Sequence, residues 1–209
     1  MAPRAYNNEN RLLQQAELKA RIAAAAARLH KTQGALATSY AQVAQEAGVS
    51  LPTVYKHYPT LDDLIQACTS HVASLAPPFP QEQILGAADL AEAAEALVAA
   101  TDAIHAHFAP WSGWREQGRI PALAAILARR RDEMVALCEA VLERHLGPGD
   151  HQATAAWWET LLSFDTRDRI LAEHGQAREA FRRTLVHLLL AVTGPQPASA
   201  PPPRPKRKN

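Results

Sequence analysis

Three neighbouring side chains, Tyr55, Lys56 and His57, can all donate hydrogen bonds to phosphate oxygens. Such contacts set the register of a protein on a nucleic acid without reading its sequence. Residues 1–60 carry seven Lys and Arg against three acidic residues, whereas residues 61–203 carry eleven against eighteen. We therefore expect a polyanion to be bound by the basic N-terminal part of the chain.

Other residue types that serve catalysis are not arranged for it. His105 and His107 point to different sides of a predicted helix, and the motifs H-E-x-x-H and G-x-S-x-G do not occur. Cys68 and Cys138 are far apart, have no metal-binding spacing and lie within apolar helical patterns. We therefore predict no catalytic residue, no metal and no cofactor.

The elements that position the phosphate donors are predicted to be short helices. The chain is 47% hydrophobic, contains only nine Gly and has few β-branched runs, so we expect an all-α protein. A first helix from Leu18 ends near Gly34. Ser39 can cap a second helix that ends at Gly48, and Ser50 can cap a third with a proline in its first turn. Thr60 can cap a fourth helix.

The second and third helices have the layout of a helix-turn-helix. Gly48 permits the turn, and Val43, Val49 and Val54 can hold the two helices together. The outer face of the third helix is then free to enter a major groove. An ordinary helical corner has the same spacing, so this pattern alone leaves both interpretations open.

The continuous string from Thr38 to Pro59, TSYAQVAQEAGVSLPTVYKHYP, resembles the signature of the TetR (tetracycline-repressor) family. The similarity covers about residues 17–76. It implies an N-terminal three-helix head that binds DNA and a C-terminal helical body that binds a ligand and dimerises. We accordingly divide the chain into an N-terminal extension (1–16), the head (17–76), the body (81–194) and a Pro-rich basic tail (195–209) that we expect to be disordered.

The resemblance implies a DNA contact for each matching position. Phosphate contacts are implied for Ser39, Tyr55, Lys56 and His57, and contacts to bases or the groove floor for Ala41, Leu51, Pro52 and Thr53. Leu51 stands where the family frequently has Lys or Arg, Leu61 where it has a phosphate-binding Lys, and His30 where a core Phe is common. Apolar Leu51 and Pro52 can touch thymine methyl groups, or Leu51 can simply pack within the third helix.

The resemblance also implies a homodimer built from the last two long helices. One recognition helix reads too few base pairs for genomic specificity, which agrees with a dimer on two half-sites. The candidate interface residues are Ala155, Trp158, Leu162, Leu185, Val186 and Leu189. Leucine and tryptophan at helical spacing are also typical of a plain core.

A ligand pocket in the body should be mostly apolar. Candidate lining residues are His105, Phe108, Trp111, Trp114, Met134 and Trp157, although these rings can equally fill the core. A helix from Leu90 is expected to reach Phe108, and a short aromatic-rich stretch from Phe108 to Gly118 is expected to follow it. Within this stretch Trp111 and Trp114 lie beside Gly113 and Gly118, which suggests a mobile aromatic lid. The fourth helix is expected to link the head to the body.

These features predict a ligand-responsive regulator of transcription, a repressor that binds a palindromic DNA operator as a homodimer and is released by a small hydrophobic or aromatic effector. The alternative is a sequence-tolerant, architectural DNA-binding protein that uses the basic tail. The N-terminus has no continuous apolar stretch and the chain no segment long enough to span a bilayer, so we expect a cytoplasmic protein without a membrane partner.

Overall fold

The computed structural model of the chain describes residues 4–194, with side chains from residue 9 onward. These residues form ten α-helices and no strand, which confirms the all-α prediction. The helices are α1 (Arg4–Gln33), α2 (Tyr40–Ala47), α3 (Leu51–His57), α4 (Leu61–Ser74), α5 (Gln81–Leu85), α6 (Leu90–Ser112), α7 (Pro121–Leu146), α8 (Gln152–Leu162), α9 (Phe164–Asp168) and α10 (Arg178–Thr193). The predicted disordered tail, 195–209, lies outside the described residues.

The first compact unit combines the N-terminal residues up to Phe79 with Thr101–Glu133. Apolar faces of α1, α2, α3 and α4 form its core, together with Ile120, which precedes α7, and Ile126 within α7. Helix α1 begins at Arg4 and therefore continues through the predicted N-terminal extension. The segment Thr101–Glu133 belongs to this unit although the sequence suggested a division between 76 and 81.

Helix α6 is longer than the sequence suggested. It continues past Phe108 to Ser112 with Pro110 inside it, whereas we expected a separate aromatic stretch from Phe108. Proline lacks an N–H and so removes one helical hydrogen bond, but Gly113 N still donates to Ala109 O at 3.2 Å. The prediction was wrong here because one proline does not always end a helix.

Among the described residues, the second compact unit contains Pro80–Ala100 and residues 134–194. Helices α8 and α10 pack on each other in this unit, and the Trp158 side chain is fully buried there. Its indole Nε1–H donates to Leu189 O at 2.9 Å and to Thr193 Oγ1 at 3.2 Å. Between α9 and α10 the chain makes a π-helical turn, Arg169–Glu173.

Candidate nucleic-acid interface

Local hydrogen bonds fix the ends of α2 and α3. Ser39 caps α2, since its Oγ accepts from Gln42 N at 3.2 Å while Gln42 Oε1 accepts from Ser39 N at 2.8 Å. Gly48 ends α2 in the left-handed region at φ 64° and ψ 40°. Ser50 caps α3, with its Oγ accepting from Thr53 N at 3.3 Å. The predicted caps and turn are confirmed.

The inner faces of the two helices meet through valine side chains. Val43 and Val54 are fully buried, and Val49 in the turn is partly buried against the same core. This arrangement confirms the helix-turn-helix. Because the apolar residues are used on the inside, the opposite face of α3 is left at the surface.

Most of the predicted DNA contacts lie on exposed positions. Those exposed are Ser39, Ala41, Leu51, Pro52, Tyr55 and Lys56, while Thr53 and His57 are half-buried. The Thr53 Oγ1 lies 2.7 Å from Ser50 Oγ and is thus engaged in the cap. Leu51 is 39% exposed, which leaves part of its surface for a groove contact. The assigned roles of these residues remain predictions.

An aromatic stack between α2 and α3 holds Tyr55 in place. The rings of Tyr40 and Tyr55 have centroids 4.6 Å apart and planes 16° apart. Burial, together with the negative charge of Asp63, raises the pKa of Tyr40 to about 12, so its hydroxyl stays protonated. Tyr55 itself is 51% exposed, so its ring is oriented by Tyr40 while its hydroxyl can reach a phosphate. Sequence reasoning assigned no role to Tyr40 in orienting Tyr55, although aromatic residues at the starts and ends of adjacent helices were a usable signal.

The C-terminal end of α3 is anchored on α1. Tyr58 is buried and its hydroxyl donates to Lys19 O at 3.1 Å. Also on α1, His30 is 5% exposed, and its Nδ1 lies 3.4 Å from the Sγ of Cys68 on α4. Burial lowers the pKa of His30 to about 4, against a smaller opposing effect of Glu116. His30 is therefore a neutral core residue at the position where phenylalanine was expected.

A groove of about 510 Å³ lies beside the end of α3 and is lined by His57, Tyr58, Asp62, Asp63, Gln66, Ala67, Ser70 and Ala122. Two of these residues are carboxylates that repel phosphate, so DNA is expected to follow the side of α3 away from them. None of the predicted effector residues lines this groove.

The structure places four of the six predicted effector residues in the first unit. Trp111 Nε1–H donates to Ala27 O at 2.7 Å, and Trp114 Nε1–H donates to Lys31 O at 3.3 Å, so both indoles lie on α1. The guanidinium carbon of Arg130 lies over the Phe108 ring, 4.6 Å from the ring centroid. His105 is half-buried, one turn before Phe108 on α6.

The other two predicted effector residues belong to the second unit. Met134 on α7 is half-buried, whereas Trp157 on α8 is 60% exposed. A tryptophan with that exposure presents its ring to the surface of the chain. The structure therefore does not place Trp157 in the interior of its own unit.

Glu116, to which the sequence gave no role, binds the loop between α1 and α2. Its Oε2 accepts from Ala35 N at 2.7 Å and its Oε1 from Leu36 N at 2.9 Å. Gly34 precedes these amides with a φ of +81°, and a Cβ on Gly34 would lie 2.8 Å from Glu116 Oε1. No local sequence pattern signals a bond between residues so distant in the chain.

The predicted dimer residues are mostly turned inward. Ala155, Trp158, Leu162, Leu185 and Leu189 are all at most 4% exposed within the single chain, and Val186 is half-buried. Side chains already buried in one protomer have little surface to offer a partner. The neighbouring positions Trp157, Leu188 and Val192 are instead exposed, at 60%, 44% and 39%.

Within residues 4–194, no three His, Cys, Asp or Glu side chains are grouped so that they could hold a metal ion. None of the helices in the same range combines the length and the apolar character that crossing a bilayer requires.

Residues 22–68 match the model of the family "Bacterial regulatory proteins, tetR family". No curated protein sequence matches the chain. The fold is similar to that of a transcriptional regulator from Rhodococcus sp. Rha1, with a TM-score of 0.59, 21% identity and coverage of 83% of this chain and 95% of that one. It is also similar to the multidrug binding protein EbrR complexed with imidazole, with a TM-score of 0.55, 23% identity and coverage of 86% and 90%.

Proposed function

We propose that this chain, which belongs to the tetR family of bacterial regulatory proteins and binds DNA to regulate transcription, acts as a homodimeric repressor on a palindromic operator and is released by a small effector. Two recognition helices related by a two-fold axis read half-sites about 34 Å apart. The rival function, architectural binding without sequence preference, makes no use of a recognition helix.

The exposed face of α3 carries this proposal. Pro52, Tyr55 and Lys56 lie at the surface on a helix whose first turn is capped by Ser50 and whose end is anchored by Tyr58. A recognition helix needs this combination, because the base-reading face must be free while the backbone is held rigid. The phosphate donors and the groove-facing residues of α3 are then held in one fixed arrangement.

The exposed apolar side chains of α8 and α10 support the homodimer. Leu188 and Val192 lie one turn apart on the same stripe of α10, and Trp157 lies on α8, which packs against it. Exposed apolar residues on paired helices are typical of a surface that a partner covers. We propose Trp157, Leu188 and Val192 as its centre in place of the buried residues that the sequence suggested.

The dimer is tested by Leu188→Glu, which places a charge in the proposed interface. We expect sedimentation velocity to show a monomer where the wild type is a dimer, with loss of operator binding. Leu127→Glu is the matched control, since Leu127 is 39% exposed on α7 in the first unit. A Leu188→Glu variant that remains dimeric would contradict this choice of interface.

The effector is proposed to be a small aromatic or hydrophobic compound. This class of ligand is what the resemblance to the tetR family suggests, since the Phe108 and Trp111 rings on α6 pack against the core of the first unit. The structural similarity to a multidrug binding protein complexed with imidazole points to the same class of ligand. The test is whether such compounds release the protein from its operator at concentrations that shift its melting temperature.

The function as a whole is tested by selecting bound fragments from the source genome and measuring competition by random duplex at fixed salt. A regulator should prefer the selected palindrome by a factor of about a thousand or more. Equal affinity for the palindrome and random DNA would instead favour the architectural function. Repression is then read from a reporter placed behind the selected operator.

A further inference from the structure

The carboxylate of Glu116 is held against the loop that begins the DNA-binding helices. It accepts from two consecutive backbone amides, Ala35 N at 2.7 Å and Leu36 N at 2.9 Å. Hydrogen bonds to an ionised acceptor are about twice as strong as those between neutral groups. Glu116 therefore fixes two consecutive backbone positions in this loop.

Two indoles hold the segment that carries Glu116. Trp111 donates to Ala27 O at 2.7 Å and Trp114 to Lys31 O at 3.3 Å, while the Lys31 ammonium lies 5.5 Å from the centre of the Trp111 ring. Lys31 O is among the last carbonyls of α1, which lack a helical partner. Trp111 and Trp114 bond to the end of α1, and Glu116 bonds to the loop that follows it. We call these three residues the Glu116 clamp.

The clamp connects to α2 through a short, hydrogen-bonded loop. Thr38 Oγ1 donates to Gly34 O at 2.7 Å and Thr38 N to Ala35 O at 3.2 Å. Gln33 Nε2 donates to Thr38 Oγ1 at 3.1 Å. The next residue, Ser39, caps α2. Little freedom thus remains between the amides that Glu116 binds and the start of α2.

We propose that Glu116 is a positioning residue for DNA binding, which acts by holding the loop from Gly34 to Thr38 so that Ser39 and the start of α2 meet a phosphate. This inference rests on the proposed DNA-binding function. Without the clamp, only a fraction of molecules has α2 correctly placed, and the apparent affinity falls by that fraction. The number of Lys and Arg contacts to phosphate does not change.

The test is Glu116→Gln, which keeps the shape of the side chain but turns an NH₂ group toward one of the two amides. We expect hydrogen exchange of the Ala35 and Leu36 amides to become at least about tenfold faster, and operator affinity to fall about tenfold with an unchanged salt slope. Glu95→Gln, an exposed carboxylate on α6, should change neither quantity.

General destabilisation is separated from positioning by Val141→Ala, since Val141 is fully buried in the second unit. At a temperature where all variants are folded, this variant should retain operator affinity despite a lower melting temperature. An equal loss of affinity in Val141→Ala and Glu116→Gln would overturn the proposal. So would a Glu116→Gln variant with fast amide exchange but wild-type affinity, or with weak binding but unchanged exchange.

The failure of this inference is distinguishable from failure of the proposed function. Absence of operator binding by the wild-type protein contradicts the regulator function, whereas the exchange of the Ala35 and Leu36 amides is measured without DNA. Unchanged exchange in Glu116→Gln overturns the clamp whatever the wild type binds.

Discussion

Replacing Gly34 with alanine should destabilise the first unit more than the same replacement at Gly48, although both glycines have a positive φ. The φ angles are +81° and +64°, so each alanine costs about 1–2 kcal/mol from the left-handed backbone alone. At Gly48 a Cβ meets nothing within 4 Å. At Gly34 it lies 2.8 Å from Glu116 Oε1 and 3.3 Å from the Trp114 ring.

The additional cost at Gly34 is worked from the clamp. A Cβ at that distance forces the carboxylate to shift by a few tenths of an ångström, which weakens its two hydrogen bonds. Since a hydrogen bond to a charged group contributes about 1.5–3 kcal/mol, partial loss of both should cost about 1–2 kcal/mol more. The total for Gly34→Ala is then about 3 kcal/mol, against about 1.5 kcal/mol for Gly48→Ala.

The assay is a double-mutant cycle of Gly34→Ala with Glu116→Ala, measured by urea unfolding at 25 °C. Once Glu116 is removed, the alanine at 34 should cost only its backbone strain and its contact with the Trp114 ring, which gives a coupling energy of about 1–2 kcal/mol. The combination of Gly48→Ala with Glu116→Ala is the control and should be additive. A coupling energy below about 0.5 kcal/mol at Gly34 refutes the reasoning.

Two further predictions concern Lys56 and His30. Lys56→Ala should weaken binding to all duplexes and lower the slope of log K against log[salt] by about one unit. Replacing the exposed Arg131 of α7 with alanine should change neither the affinity nor the slope. An unchanged slope for Lys56→Ala excludes its phosphate contact. Because burial holds the pKa of His30 near 4, below its unfolded value of 6.5, the unfolded chain binds a proton that the folded chain does not, and stability falls as pH decreases through that window. Between pH 7.5 and pH 5, the free energy of unfolding measured in urea should therefore fall by about 2 kcal/mol less for His30→Phe than for the wild type. Equal pH dependence of the two proteins shows that His30 is not the group responsible.

The features that could be predicted from the sequence are the local ones. Ser39, Gly48, Ser50 and Thr60 end or begin helices through bonds to residues three or four positions away, and each was placed correctly. Such caps depend on residue type and spacing alone. The helix-turn-helix follows from them and from the valines between the helices.

The orientation of helices in the second unit could not be predicted at the same level. Neighbouring tryptophans, Trp157 and Trp158, differ by about 100° around α8, so one is fully buried and the other 60% exposed. Both faces of α8 and α10 are rich in apolar residues. The spacing of these residues therefore does not show which face of each helix is buried. The choice of Trp158 rather than Trp157 for the surface followed from this ambiguity.

The Glu116 clamp lay beyond sequence reasoning for a different physical reason. One partner is a backbone amide, which every residue except proline possesses, so its presence at Ala35 and Leu36 carries no signal. The separation along the chain is 81 and 80 residues. Trp111 and Trp114 were singled out by their aromatic character, but nothing in their spacing indicated that α1 is what they contact.

The recognition helix depends on supports outside itself, because seven residues are too few for a helix that is stable alone. Its cap at Ser50 is local, whereas the Tyr40–Tyr55 stack and the bond from Tyr58 to Lys19 O fix it to α2 and α1. Since α2 is in turn joined to the loop held by Glu116, a change at residue 116 can move the DNA-reading surface without unfolding it. Substitutions in the supports should accordingly lower DNA affinity by more than their effect on the melting temperature explains, while those at buried Val43 or Val54 lower both together.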